Sequence, residues 1–321
     1  MQWYGVPMRP LARQLILLAL TATLAACGRP DAPGETSTGS VAEQDHATRV
    51  QAWRDRHEAD YRRDWASVAG LHFLHAGTHT VGSGADRDIV LAAGVPPAIG
   101  RLIVADGSVR YEPQPGVPVT QGGQPVTGPL VLKTPGSDPA EEIIIGEVRL
   151  VIHTSGERLA LRVRDPTGPL ARGFLGFTWF PIDPAYRVTG RFMADAEPRE
   201  MTVINTFGDP DTYPTEGVVE FELHGRTLRL RPFTTRPNRF FFVFRDASSG
   251  EETYPTARFL YADLRDDGTT VLDFNEAYNP PCAFNPYTTC PIPLRENVLP
   301  VRVLAGEKAY PVEVKLPSQA G

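Results

Sequence analysis

Arg158-Leu159-Ala160-Leu161-Arg162-Val163-Arg164 alternates charged and apolar side chains with a period close to two. That period sends successive side chains to opposite faces of a pleated strand, so the stretch predicts a strand with one buried and one wet face. Leu159, Leu161 and Val163 would point into a core, and Arg158, Arg162 and Arg164 into solvent. The same texture extends in both directions. Upstream, short apolar runs broken by Gly, Pro, Asp and Asn cover 88–92, 101–104, 109–112, 130–133, 141–145 and 147–153, with Asp106-Gly107 and Ser155-Gly156 as hairpin turns. Downstream, 186–193, 201–206, 218–224, 227–232, 240–245, 257–263, 271–274 and 298–304 read as further strands, with turns at His224-Gly225 and Asp267-Gly268. Phe240 to Phe244 is apolar throughout, as a strand covered on both faces requires. Asp165-Pro166-Thr167-Gly168-Pro169 is a turn-rich joint between the two series.

One segment breaks this pattern. Val50, Trp53, His57 and Tyr61 recur at spacings of three and four, with Arg54, Asp55, Arg56, Arg62 and Arg63 on other faces. This predicts an amphipathic helix whose aromatic stripe docks on the domain that follows. The 29 Gly and 31 Pro in 321 residues argue against a helical bundle and suit short strands joined by tight turns. The fold expected is mainly β. An N-terminal amphipathic helix (41–69) precedes a β-sandwich (70–165) and a second antiparallel β barrel or sandwich (166–321).

The start of the chain reads as an address. Arg9 and Arg13 precede the apolar run from Leu15 to Leu20, and small residues follow, the layout of a secretory signal over 1–26. The run is shorter than the roughly 20 residues of a bilayer span. Leu24-Ala25-Ala26-Cys27 resembles a bacterial lipobox, which implies cleavage before Cys27 and its acylation, with palmitate among the chains. The implied partner is a lipid bilayer, and the implied location is the extracytoplasmic face of the cell envelope. Gly28, standing where an Asp would signal inner-membrane retention, favours the outer membrane. Residues 27–40 are small, polar and Pro-rich, a flexible tether. With a net charge of −6, the chain lacks the electrostatic signature of a nucleic-acid binder.

Chemistry concentrates between Asp273 and Pro291, in the stretch DFNEAYNPPCAFNPYTTCP. Pro280, Pro281, Pro286 and Pro291 fix φ and remove donors, so no helix or strand runs through it. Two readings of its side chains stay open. Asp273, Asn275, Tyr278 and Asn279 could satisfy backbone groups of an irregular buried loop. Alternatively they line a ligand pocket with Arg258, walled by Phe284 and Tyr287. Cys282 and Cys290 read as a disulfide in an oxidising compartment, with free thiols or a metal site as alternatives. Their separation lacks the tight spacing of common zinc ligands. His72, His75 and His79 read as a wet strand edge before a metal site. No metal and no cofactor is expected, since no nucleotide loop, HExxH helix, GxSxG elbow or DxDxDG loop occurs.

The loop also carries a resemblance. With Trp179-Phe180-Pro181-Ile182-Asp183-Pro184-Ala185-Tyr186-Arg187-Val188, Phe244-Arg245-Asp246-Ala247, Glu252-Thr253-Tyr254 and Ala257-Arg258-Phe259-Leu260, it resembles the bacterial family filed as domain of unknown function 1684. The resemblance implies membership from about Trp53 to Glu307, and no activity or catalytic residue. Over 77–165, Gly77-Thr78-His79-Thr80-Val81-Gly82, Asp88-Ile89-Val90-Leu91, Gly122-Gly123-Gln124-Pro125-Val126 and Ile143-Ile144-Ile145-Gly146 resemble a forkhead-associated domain. Ser83 stands where that family has Arg, and Gly94-Val95-Pro96-Pro97 where Ser and His are expected. The resemblance therefore implies a β-sandwich scaffold without phosphopeptide binding. The function expected is that of a membrane-anchored extracytoplasmic lipoprotein binding a small molecule or envelope component. The alternatives are a hydrolase or thiol-dependent enzyme using Cys282 or Asp273, and a structural envelope-assembly protein.

Overall fold

The computed structural model describes residues 38–92, 94–133 and 141–312. The signal over 1–26, Cys27 and most of the tether lie outside the described residues. Helix α1 spans Thr38–Asp64, with Arg62 and Arg63 in its last turn, where cations complement the helix dipole. Strands then follow in chain order: β1 (Val68–Phe73), β2 (Gly77–Gly82), β3 (Ile89–Val90), β4 (Gly100–Ala105), β5 (Ser108–Pro113), β6 (Thr120–Gln121), β7 (Gln124–Pro125), β8 (Leu130–Leu132), β9 (Glu142–Ile145), β10 (Val148–Ser155) and β11 (Arg158–Arg164). They form two sheets, ordered β1-β11-β10-β9-β6-β7 and β3-β2-β4-β5-β8. Val81, Leu102, Tyr111, Ile143, Leu150 and Leu161 are buried in one shared core, so this is a β-sandwich. Asp106 and Gly107 both take positive φ (50° and 71°), as a tight primed hairpin turn between β4 and β5 demands.

The period-two reading of β11 needs one correction. Arg162 is buried, not wet. Its guanidinium lies 5.8 Å from the Trp65 ring. On the neighbouring strand His153 Nε2 meets Thr289 Oγ1 at 3.0 Å. The α1–β1 connection and the loop near Thr289 thus cover this face. Burial, and Arg164 beside it, pull the Arg162 pKa down to about 9.

A short helix α2 (Pro169–Gly173) leads to the second unit: β12 (Arg187–Ile204), β13 (Pro210–Leu223), β14 (Arg226–Leu230), β15 (Phe233–Arg236), β16 (Arg239–Phe244), β17 (Arg258–Asp263) and β18 (Thr269–Asp273). Its sheets are β14-β13-β12-β18 and β15-β16-β17. They wrap a phenylalanine-rich core of Phe221, Phe240, Phe242, Phe244 and Phe274 with Leu260 and Leu272. The expected strands 186–193 and 201–206 are one long strand, β12, whose register with β13 breaks between Ala194 and Arg199, as at a bulge. The expected strand 298–304 is an extended segment without a ladder. It is held by Leu299 N–H to Arg245 O at 2.8 Å and by Ala247 N–H to Val301 O at 2.9 Å. Further along, Arg258 takes the carbonyls of Val303 and Ala305. Helix α1 packs on this second unit more than on the sandwich that follows it in sequence. Tyr61 and Trp65 share a cluster with Phe174, Phe233, Val243, Phe259 and Phe284.

Candidate functional site

Helix α1 is fastened along a ribbon that begins at Asp273. His46 Nε2 lies 2.6 Å from Asp273 Oδ2. Arg54 donates through Nη2 to Asn275 O and through Nη1 to Phe180 O, both at 3.1 Å. Tyr61 donates its hydroxyl to Asn279 O at 2.7 Å. His46, Arg54 and Tyr61 recur at nearly two-turn intervals, so they share one stripe of the helix. Beyond the helix, Asn285 Nδ2 bonds Trp65 O at 2.9 Å and Val68 O at 2.7 Å. The proline-braced ribbon therefore runs beside α1, and its side chains supply the partners that a ladder would otherwise give.

That arrangement turns five of the seven expected ligand residues inward. Arg258 is fully buried, bonded to Asp246 Oδ2 at 2.9 Å and to Val303 O at 2.8 Å. Asn275 bonds Asp183 O and Asp273 Oδ1 through Nδ2, and accepts from Asp183 N–H through Oδ1, each at 2.9 Å. Asn279 donates from its N–H to Glu307 Oε2 and from Nδ2 to Glu307 Oε1, both at 2.7 Å. Phe284 sits among Phe174 and Tyr61, at centroid distances of 5.0 and 5.2 Å. Tyr287 is half-buried against the same cluster. Arg258 thus ties β17 to the 303–305 segment, and the other four build the ribbon; none of the five is a pocket wall.

Cys282 and Cys290 are both buried free thiols, so the expected disulfide is not formed. The Cys282 N–H points to Cys290 Sγ at 3.4 Å, and the two sulfurs pack as small apolar groups in the third cluster. Burial pushes the Cys282 thiol well up. A protonated, enclosed thiol is a poor nucleophile, which argues against thiol chemistry there. Among the histidines of the sandwich, His79 Nε2 meets His75 O at 2.8 Å, and burial lowers the pKa of His72. Among the described residues, no group of three or more His, Cys, Asp or Glu is placed to hold a metal, and no helix is long and apolar enough to cross a membrane.

Asp273 and Tyr278 do face a cleft, of about 840 Å³. It opens between β17 and β18, the edge strands of the two sheets of the second unit. At one end β17 and β18 are joined through the Leu264–Thr270 bridge. At the other, β17 meets the ribbon through Phe259 N–H to Tyr278 O at 2.8 Å and Tyr278 N–H to Phe259 O at 3.0 Å. Helix α1 flanks the opening between them. Val50, Trp53 and His57 line it from α1, with Tyr261 from β17 and Val271 from β18. Trp53 stacks on His57 at 4.7 Å and 13°, and His57 lies 4.4 Å from Tyr278. Enclosed by rings, His57 is held neutral, its pKa pulled down to about 3 by burial.

Charge gathers at the mouth. Arg49, Arg187, Arg236, Arg239 and Arg265 come from α1, β12, β15, β16 and the β17–β18 turn. Arg239 is engaged by Asp263 Oδ1 at 2.8 Å and lies 5.1 Å from the Tyr261 ring. Arg187 Nε is 3.6 Å from Asp273 Oδ2. Arg49, Arg236 and Arg265 are exposed, and none makes an ion pair among the described residues. Glu276 also lines the cleft, its carboxyl pushed up to about 7 by burial and by Asp273. Sequence reasoning missed these residues. The Trp53–His57 stripe was visible but reads equally as core, and the arginines lie on five elements with no local pattern to join them.

Residues 172–308 match the model of a family described as a protein of unknown function, DUF1684. The solved structure of an uncharacterized protein from Haloarcula marismortui is similar at 31% identity, over 45% of this chain and 82% of that one, with a TM-score of 0.38. The FHA domain of FhaA, solved in complex with the intracellular domain of another protein, is similar at 17% identity over 29% of this chain and 97% of that one, with a TM-score of 0.21. No curated protein matches the chain. The matched residues include the β17–β18 opening, the ribbon and most of the cleft's arginines, and this segment, 172–308, belongs to the DUF1684 family of proteins of unknown function.

Proposed function

We propose that this is a lipid-anchored extracytoplasmic binding protein, whose cleft between α1 and the β17–β18 edges of the two sheets holds a small organic molecule. One observation carries the reading: a concave space of about 840 Å³, within the roughly 300–1,000 Å³ of small-molecule pockets, is lined by rings and a few fixed polar groups. Those groups are preorganised. Asp273 accepts from Asn275 at 2.9 Å and is paired with His46, and Tyr278 is clamped to β17 by two backbone bonds. The same bonds occupy both oxygens of Asp273, which weighs against a nucleophilic or general-base role for it. A concave, ring-lined site also fits a small ligand better than the flat patch an assembly surface would present. Acylated Cys27 supplies the anchor in this reading.

Native mass spectrometry of the protein purified from its own cell envelope tests it. A bound mass is expected on the parent and should be lost in Trp53→Ala, with circular dichroism of the variant confirming that it is folded. Absence of any bound mass on the parent, or its full retention in Trp53→Ala, would overturn the reading.

A further inference from the structure

We infer that the occupant of the cleft is an acid: an anionic group carried on a flat aromatic or apolar body. This rests on the ligand-binding reading above and names its chemical class. The chain carries a net charge of −6, yet five guanidiniums from five elements converge on this mouth. Elsewhere on the surface some arginines are paired, as Arg101 is with Glu112, Arg158 with Asp209 and Arg229 with Glu220, and others, such as Arg191 and Arg295, make no ion pair among the described residues, but they do not gather in one cleft.

The carboxylates of the cleft balance two of the five, Arg239 through Asp263 and Arg187 through Asp273, and leave Arg49, Arg236 and Arg265 without an ion pair among the described residues. Asp60 pairs with Arg63 at 2.9 Å, Asp263 with Arg239 at 2.8 Å and Asp273 with His46 at 2.6 Å. Glu276, raised to about 7, is largely protonated below neutral pH. The charge left free at the mouth is positive. Guanidinium forks match the paired oxygens of carboxylates, phosphates and sulfonates. Further in, Trp53, Tyr261 and Tyr278 offer ring faces and edges. Exposed arginines outside and half-buried or buried rings inside would seat a two-part ligand in one orientation, with its anion outward.

Fluorescence titration with two probes of one aromatic framework separates this inference from the cleft itself. Anilinonaphthalene sulfonate carries an anion, and N-phenylnaphthylamine does not. The sulfonate should bind at least about tenfold more tightly, the scale of one charge-assisted hydrogen bond. That preference should shrink as salt is raised. The double variant Arg236→Gln/Arg265→Gln should bring the two affinities within about twofold of each other, leaving the neutral probe unchanged. Trp53→Ala should weaken both. Equal affinities on the parent, or a preference that survives the double variant, would overturn the acid and leave the cleft standing. Binding of both probes untouched by Trp53→Ala would overturn the cleft, and the acid with it. Competition identifies the source of the anion. Displacement of the sulfonate probe by soluble naphthyl phosphate supports a free acid, and displacement only by phosphatidylglycerol vesicles supports a lipid headgroup.

Discussion

Replacing Glu307 by Gln should flatten the dependence of folding stability on pH. Glu307 is 1% exposed, and burial pushes its carboxyl from 4.5 up to about 8 despite hydrogen bonds from Asn279 and the charge of Arg258. Between those values the native state holds a proton that the unfolded chain has released. The stabilisation from this group is complete below about pH 4.5 and is lost as pH rises through about 8. The slope approaches about 1.4 kcal/mol per pH unit, and the whole span is worth roughly 5 kcal/mol. Glu276 acts in the same sense but only up to about pH 7. His57 and His153, with pKa values pulled from 6.5 down to about 3 and about 2, act oppositely, losing stability as pH falls below 6.5. Between about pH 7 and 8, Glu307 is therefore the main contributor among these groups, and the parent should lose about 1 kcal/mol there. Gln keeps an acceptor for Asn279, and its amide can serve Asn279 Oδ1, which lacks a partner among the described residues. Urea unfolding of both proteins across this pH range reads the difference. An unchanged slope between about pH 7 and 8 in Glu307→Gln would refute the assignment of the proton.

Three further outcomes are expected. Gly306→Ala should cost at least about 2 kcal/mol, since φ is +78° and a new Cβ would meet Ala277 O at 2.3 Å and Phe274 O at 2.7 Å; an unchanged melting temperature would count against this packing. Iodoacetamide should leave Cys282 and Cys290 untouched in the native protein and label both in denaturant without reductant; failure to label either in denaturant would indicate a disulfide. Cys27→Ser should move the protein from the detergent phase to the aqueous phase on phase separation; unchanged partitioning would remove the proposed anchor.

The β architecture was legible because it rests on local signals. Period-two alternation, Asp-Gly turns and the all-apolar Phe240–Phe244 run each act within a few residues, and the helix over Val50–Tyr61 does likewise. Where tertiary structure overrides local pattern, the reading slipped. Arg162 looks wet in isolation and is covered by Trp65, and Val298–Leu304 looks like a strand but makes only scattered bonds, such as those to the backbone of Arg245 and Ala247 and to Arg258, which takes the Val303 carbonyl. The candidate site was half legible. The Asp273–Pro291 ribbon stands out through its prolines and polar groups, yet nothing local tells that Asn275 and Asn279 turn inward while Asp273 and Tyr278 turn to the cleft. The arginine mouth was illegible, since Arg49 and Arg265 meet only when α1 is laid along the β17–β18 edges.

The ligand site is tested most directly by a crystal structure of the chain grown with anilinonaphthalene sulfonate. The expected result is one probe molecule with its rings against Trp53 and Tyr261 and its sulfonate within hydrogen-bond reach of Arg236 or Arg265. Probe bound only elsewhere on the molecule, with solvent alone between α1 and β17, would contradict it.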